Sequence, residues 1–444
     1  MANVVAIFKK GDKCKAENYR PVSLTTLFGK TMEKIIKKHI EQFLMKTNPI
    51  KTSQHGFIKG RSCLSNLLIC QNDIINLLDE GSAVDIVYLD LQKAFDKVPH
   101  NILMQKIHSM GIGGRVAKWI KNWLTTRMQR VIVNGAHSEW KEVDSGVPQG
   151  SILGPLLFTI FINDLDDDVR NPLLKFADDT KLWGAVDSVE GIMRLQNDLD
   201  IISNWSKENL MPFNVSKCKV MHIGSRNTRA SYSIMDQKNS ETKDEKDLGV
   251  FFTETFKPSL NCNKACKAAN KIIGLIRRSV ENKSKEGMLT LYKTLVRPVL
   301  DYCIPVWKPY NKLEVEKMEK VQRRFTKMIN GCKGKCYNER LRKVGVTTLE
   351  DRHFRADMIQ VYKVLNDKGN IYPANFLVRN DRISRKNSLK LYKRRCNLKL
   401  SRNSFAYRVV KQWNHLPDDV VLSNDVNVFK SKLDKHMRIA RGYL

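Results

Sequence analysis

The stretch Leu173-Leu174-Lys175-Phe176-Ala177-Asp178-Asp179-Thr180-Lys181-Leu182-Trp183 places two adjacent carboxylates between two apolar runs. This pattern predicts a β-hairpin with Asp178 and Asp179 at its tight turn. Neighbouring carboxylates repel each other, so a fold usually separates them or holds a cation between them. Aspartate is also a common turn residue, and a solvated turn explains these residues alone equally well.

The composition indicates a globular protein with a polyanionic partner. The chain has 444 residues, of which 42% are hydrophobic, and this length suits two to three domains. Its 77 Lys and Arg residues outnumber 46 Asp and Glu residues, which leaves a net charge of +31. Such a surplus favours nucleic acid as the partner, with an anionic membrane surface as the second candidate.

The sequence does not predict a membrane span, a signal peptide or a zinc finger. The longest apolar run, 152–162, is shorter than the roughly 20 residues that a bilayer requires. The N-terminal residues lack the charged region and cleavage site of a signal peptide, and residues 4–8 predict a strand. The ten cysteines suit a reducing compartment, so we expect an intracellular protein of the nucleus and/or cytoplasm that is not secreted. No histidine follows at finger spacing after the two cysteine pairs that are spaced four apart, Cys262/Cys266 and Cys332/Cys336.

A third acid stands at the end of an earlier predicted strand. The apolar pattern predicts a strand over 84–90 that ends at Asp90, then a turn through Asp96 and a helix over about 100–110. Asp90 either meets the acidic turn of the hairpin or only caps the turn that follows its own strand.

Two further segments have the composition of functional loops. Residues 54–62 form a polar, basic loop in which Gly56 and Gly60 would let backbone amides approach an anion closely. Residues 145–155 combine a turn, the polar amide of Gln149 and flexible glycines. The first loop could equally be only solvated, whereas a packed core has no need for the Pro-Gln-Gly-Ser sequence of the second.

Beyond about residue 258 the pattern is helical and strongly basic. The predicted helix over 312–330 has an apolar face and a basic face, which could lie along a phosphate backbone or be only solvated. Residues 379–402 hold ten Lys and Arg residues against one acid, Asp381, with Tyr392 among them. Phosphate contact and a mobile basic tail are the two alternatives for that run. Nucleic-acid contacts are predicted for Arg323, Arg324, Lys327, Arg394 and Arg395.

Three acids, one at the end of a strand and two at a hairpin tip, are suitable ligands for two Mg²⁺ ions. Mg²⁺ binds a few carboxylates together with waters and substrate phosphates. Two such ions about 4 Å apart stabilise both the attacking and the leaving oxygen of an in-line phosphoryl transfer. In a basic chain these acids point to a polymerase or a nuclease, and their spacing alone does not choose between the two.

Eight short motifs follow one another along the chain, at 7–12, 18–24, 54–61, 88–96, 146–155, 176–179, 214–217 and 247–250. In this order they resemble the reverse transcriptases of non-LTR retrotransposons (LINEs), in the jockey and chicken-repeat branch. No single motif is specific, but the ordered set is. Shorter matches at 300–303, 321–324 and 409–417 resemble the C-terminal part of the same proteins, so that the resemblance covers nearly the whole chain.

The resemblance implies a two-metal nucleotidyl-transfer site. Asp90 and Asp178 would bind both Mg²⁺ ions, for which Mn²⁺ could substitute, and Asp179 would complete the site. The backbone carbonyl of Leu91 would also contact metal. Lys217 would donate the proton to the leaving pyrophosphate.

The resemblance also implies a site for the incoming nucleotide. Phe95 would be a steric gate, because a bulky ring beneath the sugar excludes the 2′-hydroxyl of ribonucleotides. The amides of Lys93 and Ala94, together with Arg61, would hold the triphosphate. The implied nucleotide-binding residues are Arg61, Leu91, Lys93, Ala94, Phe95, Gln149 and Gly150, of which the last two would also line the template pocket.

The implied fold class is α+β, a right-hand polymerase with fingers, a palm with an antiparallel sheet and a helical thumb, plus a basic C-terminal region. The expected segments are partial fingers over 1–83, the palm with interleaved fingers elements over 84–256, the thumb over 257–345 and the basic region over 346–444. The reverse transcriptase domain itself would cover about 1–250. The expected partners are an RNA template, a DNA primer and deoxynucleoside triphosphates, without a membrane or an obligate protein partner.

Polymerases of this kind usually carry an apurinic-type endonuclease upstream, whereas this chain opens at or just before the first fingers motif. We therefore expect an open reading frame truncated at its 5′ end. Two hypotheses follow: an RNA-directed DNA polymerase with its two-metal site intact, or a catalytically inactive nucleic-acid-binding relic. The survival of the three acids, the gate and the Pro-Gln-Gly-Ser loop favours the first.

Overall fold

The acidic stretch lies in an antiparallel sheet in the computed structural model, which describes residues 1–47, 50–366, 372–374, 376–380 and 389–441. Part of the predicted basic run lies outside the described residues, namely Asp381, Arg382, Arg385 and Lys386.

The strands are short and concentrate in the first 253 residues. They are β1 (Ala2–Phe8), β2 (Tyr19–Leu24), β3 (Val84–Leu89), β4 (Met128–Val133), β5 (Ala136–His137), β6 (Lys141–Glu142), β7 (Leu173–Phe176), β8 (Asp179–Ala185), β9 (Lys219–Ile223), β10 (Ser233–Ile234), β11 (Gln237–Lys238), β12 (Ser240–Glu241), β13 (Asp244–Asp247) and β14 (Val250–Thr253).

Helices follow the strands and dominate the C-terminal half. They are α1 (Leu27–Thr47), α2 (Cys63–Asp79), α3 (His100–Ser109), α4 (Gly114–Thr125), α5 (Gly154–Phe161), α6 (Val189–Glu208), α7 (Ser259–Ser279), α8 (Lys285–Leu291), α9 (Arg297–Asp301), α10 (Ile304–Trp307), α11 (Lys312–Thr326), α12 (Tyr337–Val344), α13 (Leu349–Leu365), α14 (Lys399–Asn403), α15 (Phe405–Asn414), α16 (Asp418–Val421) and α17 (Val426–Arg441). Among the described residues, no helix has the length and apolar character that crossing a bilayer requires.

The central sheet has the strand order β12-β9-β3-β8-β7. β3 is antiparallel to β8 with Leu89 opposite Thr180, and β7 is antiparallel to β8 with Phe176 opposite Asp179. The predicted hairpin over 173–183 is therefore confirmed. Because Asp90 directly follows Leu89, the register brings Asp90 to the end of the sheet at which the acidic turn lies.

A second sheet has the strand order β2-β1-β4-β5, with β6 also paired to β4. β1 and β2 are antiparallel, whereas β1 and β4 are parallel. Asn134 and Gly135 connect β4 to β5, and both have positive φ, +50° and +86°. That geometry is typical of a type I′ turn, so the hairpin predicted from Asn-Gly is confirmed.

The hairpin carries a lysine whose side chain is fully buried. Lys175 Nζ donates to the carbonyl oxygens of Ile162 (3.1 Å) and Asn163 (2.9 Å) and to the carboxylate of Asp166 (2.6 Å). Burial lowers the pKa of Lys175, and the charge of Asp166 opposes this effect. The lysine thus holds β7 to the chain that follows α5, since its ammonium group binds two carbonyl oxygens and one carboxylate of that segment.

The buried carboxylate of Asp85, at the other end of β3, binds side chains of the segment that connects β9 to β13. Asp85 accepts hydrogen bonds from Asn227 Nδ2 (2.7 Å) and Tyr232 Oη (2.8 Å), and its Oδ1 lies 2.7 Å from His222 Nδ1. Burial, followed by the charge of Asp85, raises the pKa of Tyr232. The polar segment that contains Asn227 and Tyr232 is therefore tied to the sheet through side chains that its local pattern does not reveal.

The chain divides into two compact units. One comprises 1–62, 84–222 and 226–242, and the other comprises 63–83, 223–225 and 243–444. The second unit is mainly helical and contains the fully buried Asp357, which accepts from Lys308 Nζ (3.0 Å) and Arg408 Nη2 (2.8 Å). The second unit also includes α2, which the sequence analysis assigned to the fingers. The boundaries of the fingers, palm, thumb and basic region stay predictions.

Replacing Lys175 by Met is expected to lower the free energy of unfolding by about 3 kcal/mol, because the buried carboxylate of Asp166 loses its main partner. The matched control is Lys51→Met, since Lys51 Nζ also lies near Asp166 (3.3 Å) but is one-third exposed. Its loss should cost about 1 kcal/mol or less. Urea unfolding compares the two variants, and equal costs would contradict a structural role for the buried lysine.

Candidate active site

The acidic turn lies one residue earlier in the chain than the sequence predicts. Phe176 pairs with Asp179, so Ala177 and Asp178 form a two-residue turn and Asp179 already begins β8. Ala177 has φ +56°, a conformation that costs a residue with a Cβ about 1–2 kcal/mol. Asp178 is half-buried and Asp179 is exposed, so the two carboxylates have different environments.

The loop predicted to be basic and functional holds this turn in place. Gln54 Oε1 accepts hydrogen bonds from the backbone N–H groups of Gly56 (2.7 Å) and Ala177 (3.1 Å). The backbone of His55 donates to the carbonyl of Lys175 (2.8 Å), which extends the sheet edge beside β7. A Cβ on Gly56 would lie 2.3 Å from the nitrogen of Ala177. Only glycine therefore allows this close approach of the two backbones.

Asp90 is fixed from both its backbone and its side chain. Its carbonyl accepts the N–H of Asn214 (2.7 Å), and its Oδ2 accepts from Lys217 Nζ (2.7 Å). Burial, and then the negative charge of Asp90, raise the pKa of Asp178, while Arg20 and Lys9 act in the opposite direction. Asp90, Asp178 and Lys217 are thus electrostatic neighbours although 127 residues separate Asp90 from Lys217 in the chain.

The donor chemistry of these acids fits a hard divalent cation. A half-buried carboxyl group with a second carboxylate beside it gains from a bound cation, and oxygen is the ligand that Mg²⁺ prefers. Within the described residues, no group of three or more acidic, cysteine or histidine side chains is arranged so that it could hold a metal ion by itself. A magnesium site at Asp90, Asp178 and Asp179 would therefore need waters and substrate phosphates as its remaining ligands.

A cavity of about 1200 Å³ lies elsewhere in the same unit, lined by residues of α3, α4 and the end of α6 such as Met104, Leu124 and Lys207. Neither Asp90 nor Asp178 lines it. Charge and strand register, rather than cavity volume, therefore identify the acids as the candidate site.

The predicted nucleotide-binding turn follows Asp90. Leu91 is buried and pairs with Phe213, and Lys93 has φ +50° before a short 3₁₀ turn over Ala94–Asp96. The ring of Phe95 stacks on Phe158 with centroids 4.6 Å apart. Phe95 therefore has a fixed orientation, as a gate requires.

The Pro-Gln-Gly-Ser loop is bound to that turn. Val147 N donates to the carbonyl of Phe95 (2.7 Å), and Gln149 Nε2 donates to Asp96 Oδ1 (2.9 Å). A Cβ on Gly146 would lie 2.7 Å from the carbonyl oxygen of Asp96. The structure thus brings the predicted residues Phe95 and Gln149 together.

Sequence reasoning missed Asp96 as a partner of Gln149. Burial raises the pKa of the Asp96 carboxyl, whereas the hydrogen bond from Gln149 and the charges of Lys93, Lys9 and Arg20 oppose this rise. The adjacency of Asp96 to Phe95, the predicted gate, was the available signal.

Two cations of the β1–β2 pair were also missed. Lys9 directly follows β1, and Arg20 near the start of β2 pairs with Ile7 near the end of β1. Both residues therefore lie at one end of the β1–β2 pair, and their charges act on Asp96 and Asp178. Both belong to quoted motifs, but only the pairing of β1 with β2 brings them to the acids.

Arg61 has a structural role in addition to its predicted one. Its Nη1 donates to the carbonyl oxygens of Lys51 (2.7 Å) and Thr52 (3.2 Å), which shapes the loop that carries Gln54. The predicted contact of Arg61 with the triphosphate stays a prediction.

The predicted nucleic-acid-binding residues lie in the second unit. Arg323 lies over the ring of Tyr337 (4.9 Å), and Arg324 donates to Asn270 (3.1 Å) while remaining exposed. Lys327 and Arg395 are exposed and Arg394 is half-buried. Their roles stay predictions.

Comparison with known proteins gives one family. The family model described as "Reverse transcriptase (RNA-dependent DNA polymerase)" matches residues 7–250, more than half of the chain. The match agrees with the resemblance seen in the motifs and confirms the predicted α+β, right-hand polymerase fold class.

Individual relatives are more distant. The "Probable RNA-directed DNA polymerase from transposon BS" of Drosophila melanogaster is 26% identical over 75% of this chain and 38% of that protein. The "RNA-directed DNA polymerase from mobile element jockey" of Drosophila funebris is 27% identical over 74% of this chain and 37% of that protein. The chain thus spans somewhat more than a third of the length of these relatives.

Among solved structures, apo telomerase from Candida tropicalis aligns with a TM-score of 0.46 and 11% identity over 83% of this chain and 67% of that chain. This likeness is too weak to support a further conclusion.

The buried imidazole beside the acidic turn predicts a pH dependence of stability. Burial, reinforced by the charges of Arg61 and Lys181, lowers the pKa of His55 from 6.5 to about 3. Below pH 6.5 the imidazole of His55 therefore binds a proton in the unfolded chain but not in the folded chain. The free energy of unfolding consequently decreases as the pH falls from 6.5 towards 3. The expected slope from this residue is at most about 1.4 kcal/mol per pH unit.

Urea unfolding of the wild type and of His55→Gln at pH 7.5, 6 and 5 measures the slope. The variant should lose less stability between pH 7.5 and 5 than the wild type does. The pKa of His353 is also lowered to about 3 by burial, but this residue contributes equally to the pH dependence of both proteins. Identical slopes would show that His55 is protonated in the folded state.

Proposed function

The chain belongs to the reverse transcriptase family, and on that premise we propose that it is the RNA-directed DNA polymerase of a non-LTR retrotransposon. It copies RNA into DNA by two-metal nucleotidyl transfer. The observation that carries the proposal is the juxtaposition of Asp90, at the end of β3, with the acidic turn of β7 and β8. No observation favours the alternative, a catalytically inactive nucleic-acid-binding relic.

Asp90, Asp178 and Asp179 would hold two Mg²⁺ ions, for which Mn²⁺ could substitute. When bound, such ions stabilise the attacking and leaving oxygens of an in-line displacement at phosphorus. The carboxylates supply the negative charge and the oxygen ligands, and the backbone carbonyl of Leu91 adds a further oxygen. The raised pKa of Asp178, caused first by burial and then by the charge of Asp90, supports this role, because a bound cation would favour the ionised carboxylate.

Lys217 serves as the proton donor in the transfer. The primer 3′-hydroxyl loses its proton to solvent water as its oxygen forms a bond to the α-phosphorus of the nucleotide, and the bond from that phosphorus to the bridging oxygen breaks. The ammonium of Lys217, 2.7 Å from Asp90 Oδ2, then gives a proton to the departing pyrophosphate. Its more than half-exposed side chain leaves it free to turn from the carboxylate to the substrate.

The nucleotide would lie between two groups of residues. Lys9 and Arg20, whose charges act on Asp178, would bind the triphosphate together with Arg61 and the amides of Lys93 and Ala94, because cations and backbone N–H groups are suitable partners of phosphate oxygens.

The sugar would lie on the ring of Phe95, which stacks on Phe158 and would exclude a 2′-hydroxyl by its bulk. Gln149, oriented by Asp96, and Gly150 line the nucleotide and template pocket.

The substrates of this site are an RNA template, a DNA primer and deoxynucleoside triphosphates. The net charge of +31 supports binding of such polyanions. Backbone contacts to the nucleic acid are assigned to Arg323, Arg324, Lys327, Arg394 and Arg395. The proposed location of the protein is intracellular, in the nucleus and/or cytoplasm.

Asp178→Asn tests the catalytic proposal. Because a metal ligand is lost while the shape of the turn is kept, extension of a DNA primer on an RNA template with Mg²⁺ should fall at least about a hundredfold. The matched control is Asp200→Asn, an exposed carboxylate of α6 outside the site, which should leave the rate unchanged. Equal extension by the wild type and Asp178→Asn would refute catalysis at these acids.

Phe95→Val tests the gate. Removing the ring opens space beneath the sugar, so incorporation of ribonucleotides relative to deoxyribonucleotides should rise about tenfold or more in single-nucleotide extension. Phe95→Tyr keeps the ring and should keep the discrimination of the wild type. If Phe95→Val discriminates as the wild type does, another group excludes the 2′-hydroxyl.

A further inference from the structure

A basic segment of the second unit, residues 389–398, is held in one conformation; we call it the strap. Four of its residues are cationic, Lys390, Lys393, Arg394 and Arg395, and the chain contains no acid between 389 and 402. From the sequence alone this run could be a mobile tail. The contacts at both ends of the strap contradict that alternative for the residues that the structure describes.

At its start the strap is anchored by Trp413 and Asn414 of α15. Trp413 Nε1 donates to the carbonyl of Leu389 (2.8 Å). The side-chain amide of Asn414 makes two hydrogen bonds with the backbone of Leu391. Its Oδ1 accepts the N–H of Leu391 (2.8 Å), and its Nδ2 donates to the carbonyl of Leu391 (2.9 Å). The side chain of Leu391 is 1% exposed, so this end of the strap packs into the unit.

The same end is also paired with a neighbouring segment. Tyr392 N donates to the carbonyl of Val378 (2.8 Å), and Asn380 N donates to the carbonyl of Lys390 (2.8 Å). These two bonds form a short antiparallel ribbon in which Arg379 lies opposite Leu391. The backbone around Tyr392 therefore has a fixed register.

The carboxylate of Asp79, the last residue of α2, holds the other end of the strap. It accepts from the backbone N–H groups of Asn397 (3.0 Å) and Leu398 (2.8 Å) and from Ser401 Oγ (2.6 Å). Although burial acts to raise the pKa of Asp79, these hydrogen bonds lower it. The carboxylate thus fixes the backbone immediately before α14 and the side chain of Ser401 within that helix.

Between these anchors the strap presents an aromatic ring flanked by cations. Tyr392 is 55% exposed, whereas its neighbour Leu391 is buried, so the alternation of an extended chain turns the ring outward. Lys393 and Arg395 are exposed, and no described carboxylate forms a salt bridge with either of them. A surface that is already ordered loses little conformational entropy when a ligand binds.

We propose that the strap is a binding site for single-stranded nucleic acid. The ring of Tyr392 stacks on an unpaired base, and Lys393 and Arg395 neutralise the phosphates on either side of it. Stacking requires a base that is free of a complementary strand, and every base offers a face, so the site selects single strands without reading their sequence. Trp413 and Asn414 act as positioning residues, since they touch the strap and not the ligand.

This site adds to the function proposed above and does not depend on catalysis. The variant Asp178→Asn should bind single strands through the strap as the wild type does, even though it cannot extend a primer. Failure of the strap and failure of the polymerase site are therefore separate results.

Fluorescence anisotropy of the full chain with a short labelled oligo-uridine, the matching oligo-thymidine and a duplex of equal length tests the proposal. Tyr392→Ala should weaken binding of both single strands about tenfold, with a smaller effect on the duplex, and Tyr392→Phe should bind as the wild type does. Because the ring is exposed, neither change should alter the circular dichroism spectrum.

The salt dependence tests the two cations. The double variant Lys393→Gln/Arg395→Gln should lower the slope of log K against log salt by about 1.4, since each phosphate contact of a single strand contributes about 0.7. The matched control is Lys435→Gln/Arg438→Gln, which removes the same charges from exposed positions of α17 and should leave the slope nearer to that of the wild type.

Photocrosslinking separates the strap from other nucleic-acid contacts of the chain. Oligo-uridine that carries 4-thiouridine should crosslink to the peptide that contains Tyr392, as identified by mass spectrometry. The proposal is overturned if Tyr392→Ala binds single strands as the wild type does, or if both double variants change the slope equally. It is also overturned if duplex depends on Tyr392 as strongly as single strands do, or if the strap variants affect only binding to phosphatidylserine vesicles.

Discussion

Mutual repulsion of carboxylates is the constraint on which this site depends. The register of β3 against β8 brings Asp90 to the acidic turn, and burial together with the charge of Asp90 raises the pKa of Asp178. A fold tolerates such an arrangement only if the backbone is held firmly. Gln54 provides this support, because it accepts the N–H of Ala177 at the strained position of the turn. A cation bound between the acids would offset this repulsion.

Side chains from distant parts of the chain orient the groups around the acids. Gln149 is bonded to Asp96, which adjoins the gate, and Glu33 of α1 accepts the N–H groups of Ile152 (2.6 Å) and Leu153 (3.1 Å) at the start of α5. Each of these bonds joins segments that are far apart in sequence. The loops that would meet the nucleotide are therefore positioned by buried polar contacts, which cost more to break than an equal number of exposed ones.

The sequence predicts what depends on local pattern. The hairpin over 173–183, the Asn134-Gly135 turn and the strand that ends at Asp90 follow from alternation and turn chemistry, and all three are confirmed. The sequence did not predict that Lys175 is buried or that the basic strap is ordered. Both features depend on partner residues that are distant in the sequence and become neighbours only in the folded chain. Long-range pairing is likewise the reason that Lys9, Arg20 and Asp96 were not recognised as neighbours of the acids.

Counting bound Mn²⁺ by electron paramagnetic resonance tests the central claim most directly, namely that Asp90, Asp178 and Asp179 form a single two-metal site. With an RNA template, an annealed DNA primer and an unreactive deoxynucleotide analogue, the wild type should bind two ions per chain beyond those bound by the nucleic acid and nucleotide alone. The double variant Asp90→Asn/Asp178→Asn should lose both. Equal numbers of bound ions in the wild type and the double variant would contradict the account.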